Sequence, residues 1–399
     1  MATHRPGRPA GAGRPPDAAA RKRPADGADG TRRVTGHVRE GNTNVAVFAE
    51  EVNLAGYTTL RLGGPARRFV EATTEAELVS AIRKADDTGE PVLVLGGGSN
   101  VVVSDDGFPG TVVHVGTRGT ERVAAEGDTV HVRVQAGEDW DPFVARCVAD
   151  GLAGVECLSG IPGRVGATPI QNVGAYGQDV SETIVEVRAY DREARTVVAL
   201  DRDACRFTYR HSAFKGHDRF VVLDVTYALH EAEESRPIAY TELAKQLGVR
   251  PGDRVTLKEA RDAVLELRRG KGMVLDPADP DSRSAGSFFT NPILEPGQLA
   301  ELERRVADRL GPDATFPRYP ETGGRVKTSA AWLIDRAGFG RGHTVGPARI
   351  STKHTLALTN PGGASTADLL ALAREVRRGV REAFGVELVN EPVLVGVTL

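Results

Sequence analysis

Ser159-Gly160-Ile161-Pro162-Gly163-Arg164-Val165-Gly166-Ala167-Thr168-Pro169-Ile170-Gln171-Asn172-Val173-Gly174-Ala175-Tyr176-Gly177 carries five glycines and two prolines in nineteen residues. A regular helix or a central strand does not tolerate that density, because proline removes a donor and glycine an ordered side chain. Yet Ile161, Val165, Ile170 and Val173 run through the segment, so it is no solvated linker. An apolar loop punctuated by glycine is shaped to wrap something flat or bulky. A flavin ring with its pyrophosphate meets that description; a buried irregular crossover is the alternative.

Upstream the pattern is mixed α/β. Phe69-Val70-Glu71-Ala72 reads as a short strand, and Thr74-Glu75-Ala76-Glu77 as the acidic first turn of a helix. Leu78, Ile82 and Ala85 recur at helical spacing, and Gly89 reads as the C-cap. Val92-Leu93-Val94-Leu95 reads as a buried strand that runs straight into Gly96-Gly97-Gly98-Ser99-Asn100, after which Val101-Val102-Val103 resumes as strand. Glycine N–H groups at such a strand end can face phosphate oxygens, with Ser99 and Asn100 adding side-chain donors. A tight turn between strands accounts for the same residues. The loop is neither a G-x-G-x-x-G fingerprint nor a Walker A sequence. Downstream, strict alternation marks strands at residues 130–134, 185–189 and 223–227, interrupted by a helix over residues 140–150. From about residue 241 helices return, clearest over 257–268 and 366–384. The second carries an apolar stripe of Leu369, Leu372, Val376 and Val380, with Ser365 or Thr366 as N-cap. Val393-Leu394-Val395-Gly396-Val397 reads as a closing strand.

The bulk properties narrow the field. A chain of 399 residues implies two or three domains. A net charge of −3, from 51 basic and 54 acidic residues, argues against a nucleic-acid partner recruited by bulk charge. Cys147, Cys157 and Cys205 form no Cys-x-x-Cys pair, so no metal site is expected and a reducing compartment is. No run of eighteen apolar residues exists and no signal-peptide core precedes the first strand, which reads as a cytoplasmic chain without a membrane partner. Residues 1–40, rich in Pro, Gly, Ala and Arg, read as a disordered tail.

Three polar side chains stand out from apolar or small surroundings. Arg210, in Phe207-Thr208-Tyr209-Arg210-His211-Ser212, lies in a strand-like run beside aromatics. It is placed either to grip a carboxylate in bidentate fashion or to sit on a strand surface. Ser287, in Ser284-Ala285-Gly286-Ser287-Phe288-Phe289-Thr290-Asn291-Pro292, presents an unhindered hydroxyl or caps a helix; no Gly-x-Ser-x-Gly elbow surrounds it. Glu391 stands at the head of the apolar closing strand, where a carboxylate is costly unless paired or working. His211, His217, His343 and His354 show no metal-specifying spacing.

Six segments in order resemble the UDP-N-acetylmuramate dehydrogenases, also called UDP-N-acetylenolpyruvoylglucosamine reductases, the MurB family. They are Thr59-Leu60-Arg61-Leu62-Gly63-Gly64, residues 95–100, residues 161–177, Tyr209-Arg210-x-Ser212, Gly286-Ser287-Phe288-Phe289-x-Asn291-Pro292 and the Glu391 segment. The resemblance spans about residues 58–396. It implies an α+β fold: an FAD-binding PCMH-type domain of two α/β subdomains over residues 45–230, and an α/β substrate-binding domain over 231–385. Residues 386–399 would return as a strand to the flavin domain. It implies noncovalent FAD, NADPH as electron donor and the enolpyruvyl ether of a UDP-sugar as acceptor, with no obligate protein partner. Gly96, Gly97, Gly98, Ser99, Asn100, Pro162, Gly163, Gly166, Gln171, Asn172, Gly174, Ala175 and Tyr176 would hold the flavin. Hydride would pass from flavin N5 to C3 of the acceptor, with Arg210 stabilising the developing charge, Ser287 donating a proton to C2 and Glu391 orienting or polarising that centre. Tyr240 and Tyr319 match the members that carry an extra closing loop, Tyr319 folding over the sugar nucleotide. Tyr209, Lys271, Asn291, Lys327 and His354 would complete the substrate contacts. The segment after Lys271 is longer than the family's common form. Two rivals remain at this point: an oxidase of the same fold with histidine-tethered FAD, disfavoured because neither glycine loop holds a histidine, and a nucleotide-binding regulatory protein without catalysis.

Overall fold

The computed structural model describes residues 48–399, an α+β arrangement; the expected tail over residues 1–40 lies outside the described residues. Strands Phe48–Asn53, Pro65–Ala72, Phe108–Val115 and Val92–Leu95 lie side by side in that order, the first antiparallel and the rest parallel. Helix Glu75–Thr88 covers one face. It starts at a capping box between Thr74 and Glu77 and ends where Gly89 turns left-handed at φ 66°. A second sheet is antiparallel throughout: Thr196–Asp201, Ile184–Asp191, Phe220–Glu231, Thr129–Gln135 and Thr120–Glu126. Helix Trp140–Ala149 packs Trp140, Phe143 and Val144 beneath it. The main core lies between these layers, with Tyr190, Tyr227 and Leu158 fully buried at its centre.

Helices Thr241–Leu247 and Leu257–Gly270 share a small core with Cys157 and Ile238. Arg261 fastens the second of them to Asp141 by a bidentate contact of 2.7 and 3.0 Å. The remaining C-terminal core gathers around helix Thr366–Phe384, whose Leu369, Leu372, Val376 and Val380 are all buried. Leu60, Leu62 and Val102 belong to that same core, so the early chain and the late chain share one interior. Strand Val393–Val395 runs parallel to Val101–Val103. No helix among the described residues is long and apolar enough to cross a membrane.

Two local expectations need correction. Val92–Leu95 is not buried throughout: Val94 is 36% exposed, because this strand forms a wall of a cavity rather than a covered centre. Arg210 is not on a strand. Thr208 and His211 exchange backbone hydrogen bonds of 3.0 and 3.2 Å, and Tyr209-Arg210 forms the tight turn between them. Arg210 takes a left-handed φ of 53°.

The start of helix Thr366–Phe384 shows how the two ends of the chain are joined. Ser365 caps it through the Asp368 amide, while the Asp105 carboxylate accepts the Thr366 and Ala367 amides at 2.8 and 3.0 Å. All three otherwise orphaned donors are thereby satisfied by side chains. Replacing Asp105 by Ala is expected to lower unfolding stability by about 1 kcal/mol, whereas Asp106→Ala next to it changes stability by less than about 0.5 kcal/mol. Urea denaturation of the two variants beside the parent protein measures the difference.

Candidate active site

A cavity of about 730 Å³ opens beyond the carboxyl end of strand Val92–Leu95, within the range of small-molecule and cofactor sites. Both glycine segments line it. Gly97 and Gly163 meet back to back, so close that a Cβ on Gly97 would lie 2.7 Å from the Gly163 Cα. The Asn100 amide donates to Gln171 Oε1 at 2.6 Å and to the Glu391 carbonyl at 3.4 Å, tying the loops to each other and to the closing strand.

Arg210 is held from several sides. Its guanidinium donates to the Asn172 carbonyl at 3.1 Å, the Gly174 carbonyl at 2.6 Å and Asp179 Oδ1 at 3.3 Å. Its Nε stands 3.6 Å from Glu391 Oε1. Gly174 is required here: a Cβ at that position would overlap Asp179 Oδ1 and crowd the Arg210 guanidinium. Glu391 keeps 16% side-chain exposure, and burial drives its carboxyl above the ordinary glutamate range, against the pull of Arg210 and Lys215.

Ser287 reaches the same cavity through backbone pairing. The Glu391 amide donates to the Phe288 carbonyl at 2.9 Å, Thr290 N donates to Val389 O at 3.0 Å, and Phe288 N to Leu356 O at 2.8 Å. Phe288 and Phe289 anchor the segment in the C-terminal core and leave Ser287 at the cavity wall, not at a helix cap. Among the described residues the Ser287 hydroxyl makes no hydrogen bond within the protein.

Of the other expected contacts, Tyr209, Tyr240, Lys271, Asn291, Lys327 and His354 line the cavity. Lys327 Nζ lies 4.7 Å above the Tyr209 ring and pairs with Glu321 at 2.6 Å. Lys271 stands 5.5 Å from the Tyr176 ring and pairs with Glu242 at 2.6 Å, while Tyr176 and Tyr240 meet edge to face. Asn291 Oδ1 accepts the Ala330 amide at 3.0 Å, so part of its capacity serves the start of helix Ala330–Arg336. Burial, reinforced by Lys271, pushes His354 down to about 4, leaving it neutral at neutral pH.

Three expected contacts do not line the cavity. Gly166 is buried against Ala136. Asn172 is buried and works behind the wall: its side chain bonds the Thr208 carbonyl and the Ser181 amide, each at 3.1 Å, while its carbonyl holds Arg210. Tyr319 is 50% exposed on the short strand Tyr319–Pro320, where it pairs with Lys327 of the cavity wall without lining the cavity itself.

Arg164, Asp179, Lys215 and Arg268 line the cavity without having been singled out in the sequence. Lys215 Nζ donates to the Arg210 carbonyl at 3.0 Å. Arg164 and Arg268 each have a buried Nε with no hydrogen-bond partner among the described residues. Arg268 was the most accessible to sequence reasoning, because it precedes Lys271 by three residues at the end of one helix.

The donor set fits a flavin dinucleotide. Bare glycine backbone and the positive charge of Arg164 and Arg268 in the wall suit a diphosphate, and Ile161, Ile170, Val173 and Ala175 supply apolar wall for a ring. His114, the histidine nearest these loops in sequence, packs against Tyr57 and Phe69 and does not line the cavity.

Comparison with known proteins agrees with this geometry. Residues 66–199 match the model of an FAD-binding domain, and residues 277–395 match that of the C-terminal domain of UDP-N-acetylenolpyruvoylglucosamine reductase. The UDP-N-acetylenolpyruvoylglucosamine reductase of Thermobifida fusca is 62% identical over 352 residues, covering 88% of this chain and 99% of that protein. Its counterpart from Streptomyces coelicolor is 61% identical, covering 87% and 90%. The crystal structure of UDP-N-acetylenolpyruvylglucosamine reductase (MurB) from Thermus caldophilus superimposes with a TM-score of 0.58 at 25% identity, covering 88% of this chain and 98% of that one. The chain belongs to the UDP-N-acetylenolpyruvoylglucosamine reductase family and is an oxidoreductase built from an FAD-binding domain and that family's C-terminal domain.

Proposed function

We propose that this protein catalyses, in the cytoplasm, the NADPH-dependent reduction of UDP-N-acetylenolpyruvoylglucosamine to UDP-N-acetylmuramate, a precursor of peptidoglycan. The observation that carries the reading is the convergence of Arg210, Ser287 and Glu391, from three distant parts of the chain, on one cavity walled by two glycine loops. Residues 45–230 bind the flavin, residues 231–385 bind the sugar nucleotide, and residues 386–399 return Glu391 to the flavin side.

Residues 96–100, Pro162, Gly163, Gln171, Gly174, Ala175 and Tyr176 would hold FAD, with Arg164 and Arg268 adding positive charge to the wall. The chemistry that bound FAD would supply, with NADPH as its reductant, is a hydride for C3 of the enolpyruvyl ether. The protein's own groups manage charge and proton. Negative charge grows at C2 and spreads into the acceptor's carboxylate. Arg210 stabilises it, and its four anchors mean that no reorganisation is needed as the charge appears. Ser287 delivers the proton to C2. Its hydroxyl is a weak acid, but the enolate-like carbon is strongly basic, so placement outweighs acidity. Glu391 orients this centre beside Arg210. Tyr209, Tyr240, Lys271, Asn291, Lys327 and His354 contact the sugar nucleotide, and Tyr319 closes over it from the neighbouring hairpin.

The visible absorption spectrum under anaerobic conditions tests the reading. The flavin band should bleach on adding NADPH and return on adding the enolpyruvyl sugar nucleotide. A protein that stays colourless after incubation with FAD would overturn it. Ser287→Ala should leave the bleaching step at its parental rate and slow the return by roughly 10²–10⁴-fold, read by stopped-flow absorbance. Gly174→Ala should remain folded by circular dichroism yet lose about 10–100-fold in turnover, because its Cβ displaces Asp179 and the Arg210 guanidinium.

A further inference from the structure

Lys215 has no part in the chemistry described so far, yet it lies in the cavity wall and is directed at the Arg210 turn. Its Nζ donates to the Arg210 carbonyl at 3.0 Å, five residues back along the chain. That carbonyl belongs to a residue at φ 53°, a left-handed conformation that a side chain such as arginine adopts only when its surroundings enforce it. The Thr208–His211 backbone pair closes the turn from outside, and Lys215 grips it from the cavity side. We propose that Lys215 is a positioning residue for the reaction, holding the Arg210 turn in its left-handed form while adding a second positive charge to the Arg210–Glu391 pair.

The charges around this pair are few. Arg210, Lys215 and the Tyr209 phenol face Glu391, and Asp179 engages Arg210 from the other loop. Burial draws the Lys215 ammonium below the usual lysine range, and Glu391 acts to keep its proton on. Of the two cations beside Glu391, Arg210 is already committed to two carbonyls and Asp179. Lys215 spends a single donor on Arg210 O. Loss of the lysine charge therefore moves the Glu391 carboxyl further up, and any limb of the rate–pH profile set by Glu391 moves to higher pH with it. A lysine that merely filled space would leave that limb where it is.

The inference rests on the reductase reading above, and the experiment separates the two. The reduced holoenzyme is reoxidised with the enolpyruvyl sugar nucleotide across a pH series, using the parent protein and the variants Lys215→Met, Lys215→Gln and Lys215→Arg. The Met variant should lose roughly 10–100-fold in reoxidation rate, with half-saturation changed by less than about threefold. Its Glu391 limb should rise by about one pH unit. Gln keeps a donor for Arg210 O without the charge, so it should recover part of the rate but retain the displaced limb. Arg restores the charge and should return the limb to its parental place. A Met variant with parental rate and limb overturns the proposal, as does an equal loss in all three variants with an unmoved limb. If the Met variant does not fold, the Gln and Arg variants decide: separated limbs support the proposal and coincident limbs overturn it. A parent protein that the sugar nucleotide fails to reoxidise would overturn the reductase reading instead.

Discussion

A guanidinium and a carboxylate removed from water need each other, and the contact between Arg210 and Glu391 organises what surrounds it. Breaking a desolvated pair leaves a charge stranded, at a cost of several kcal/mol, so the flanking structure has to guarantee both partners at once. The Asn172 and Gly174 carbonyls and Asp179 meet the guanidinium; Asn100 and Phe288 fix the main chain of residue 391. Those groups come from turns and from the two-residue strand pair Gly174–Ala175 and Gln178–Asp179, and the chain around them is irregular because it must aim a carbonyl or a side chain inward. The glycine-rich segment 160–177 is thus as much a mount for Arg210 as a wall for a cofactor.

The loops hold their shape because the layers behind them are conventional. The main core fills the space between the two sheets and their helices, and a separate core surrounds helix Thr366–Phe384. Polar bonds also tie the early chain to the late one. Thr59 Oγ1 donates to the Ser284 carbonyl at 2.6 Å, Asn360 Nδ2 to the Leu60 carbonyl at 3.1 Å, and Thr366 Oγ1 to the Val103 carbonyl at 2.6 Å. These bonds are buried, where an unmade partner is expensive, so they fix the relation between the early and late chain more sharply than apolar contact does. Ser287, carried by the late core, therefore meets Arg210, carried by the early one, in a defined place.

What the sequence could convey followed from how local each signal is. The stripe of helix Thr366–Phe384, the Thr74–Glu77 cap and the alternating strands depend on neighbours a few residues away, and they were readable. Arg210 was placed on a strand because Phe207 to Tyr209 has strand composition. Its guanidinium is instead turned toward the Asn172 and Gly174 carbonyls, which no local window contains. Val94 looked buried because its neighbours are apolar, but it faces a cavity. For Arg164 and Lys215 the local sequence carries no such signal: Arg164 Nε is buried without a hydrogen-bond partner among the described residues, and Lys215 Nζ reaches the Arg210 carbonyl.

Strand Val101–Val103 has Val393–Val395 as its only strand partner among the described residues, and Asn100 bonds to Glu391 across 291 positions of chain. On a ribosome working at about 5–20 residues per second, roughly 15–60 s separate the appearance of the two strands. Through that interval a three-valine edge emerges without its mate, and an unpaired apolar edge invites pairing with other chains. Its shortness and the glycines just before it limit the hazard, since a three-residue template offers few backbone bonds to an intruder. The nascent protein must keep this edge unoccupied until residues 393–395 arrive to pair with it.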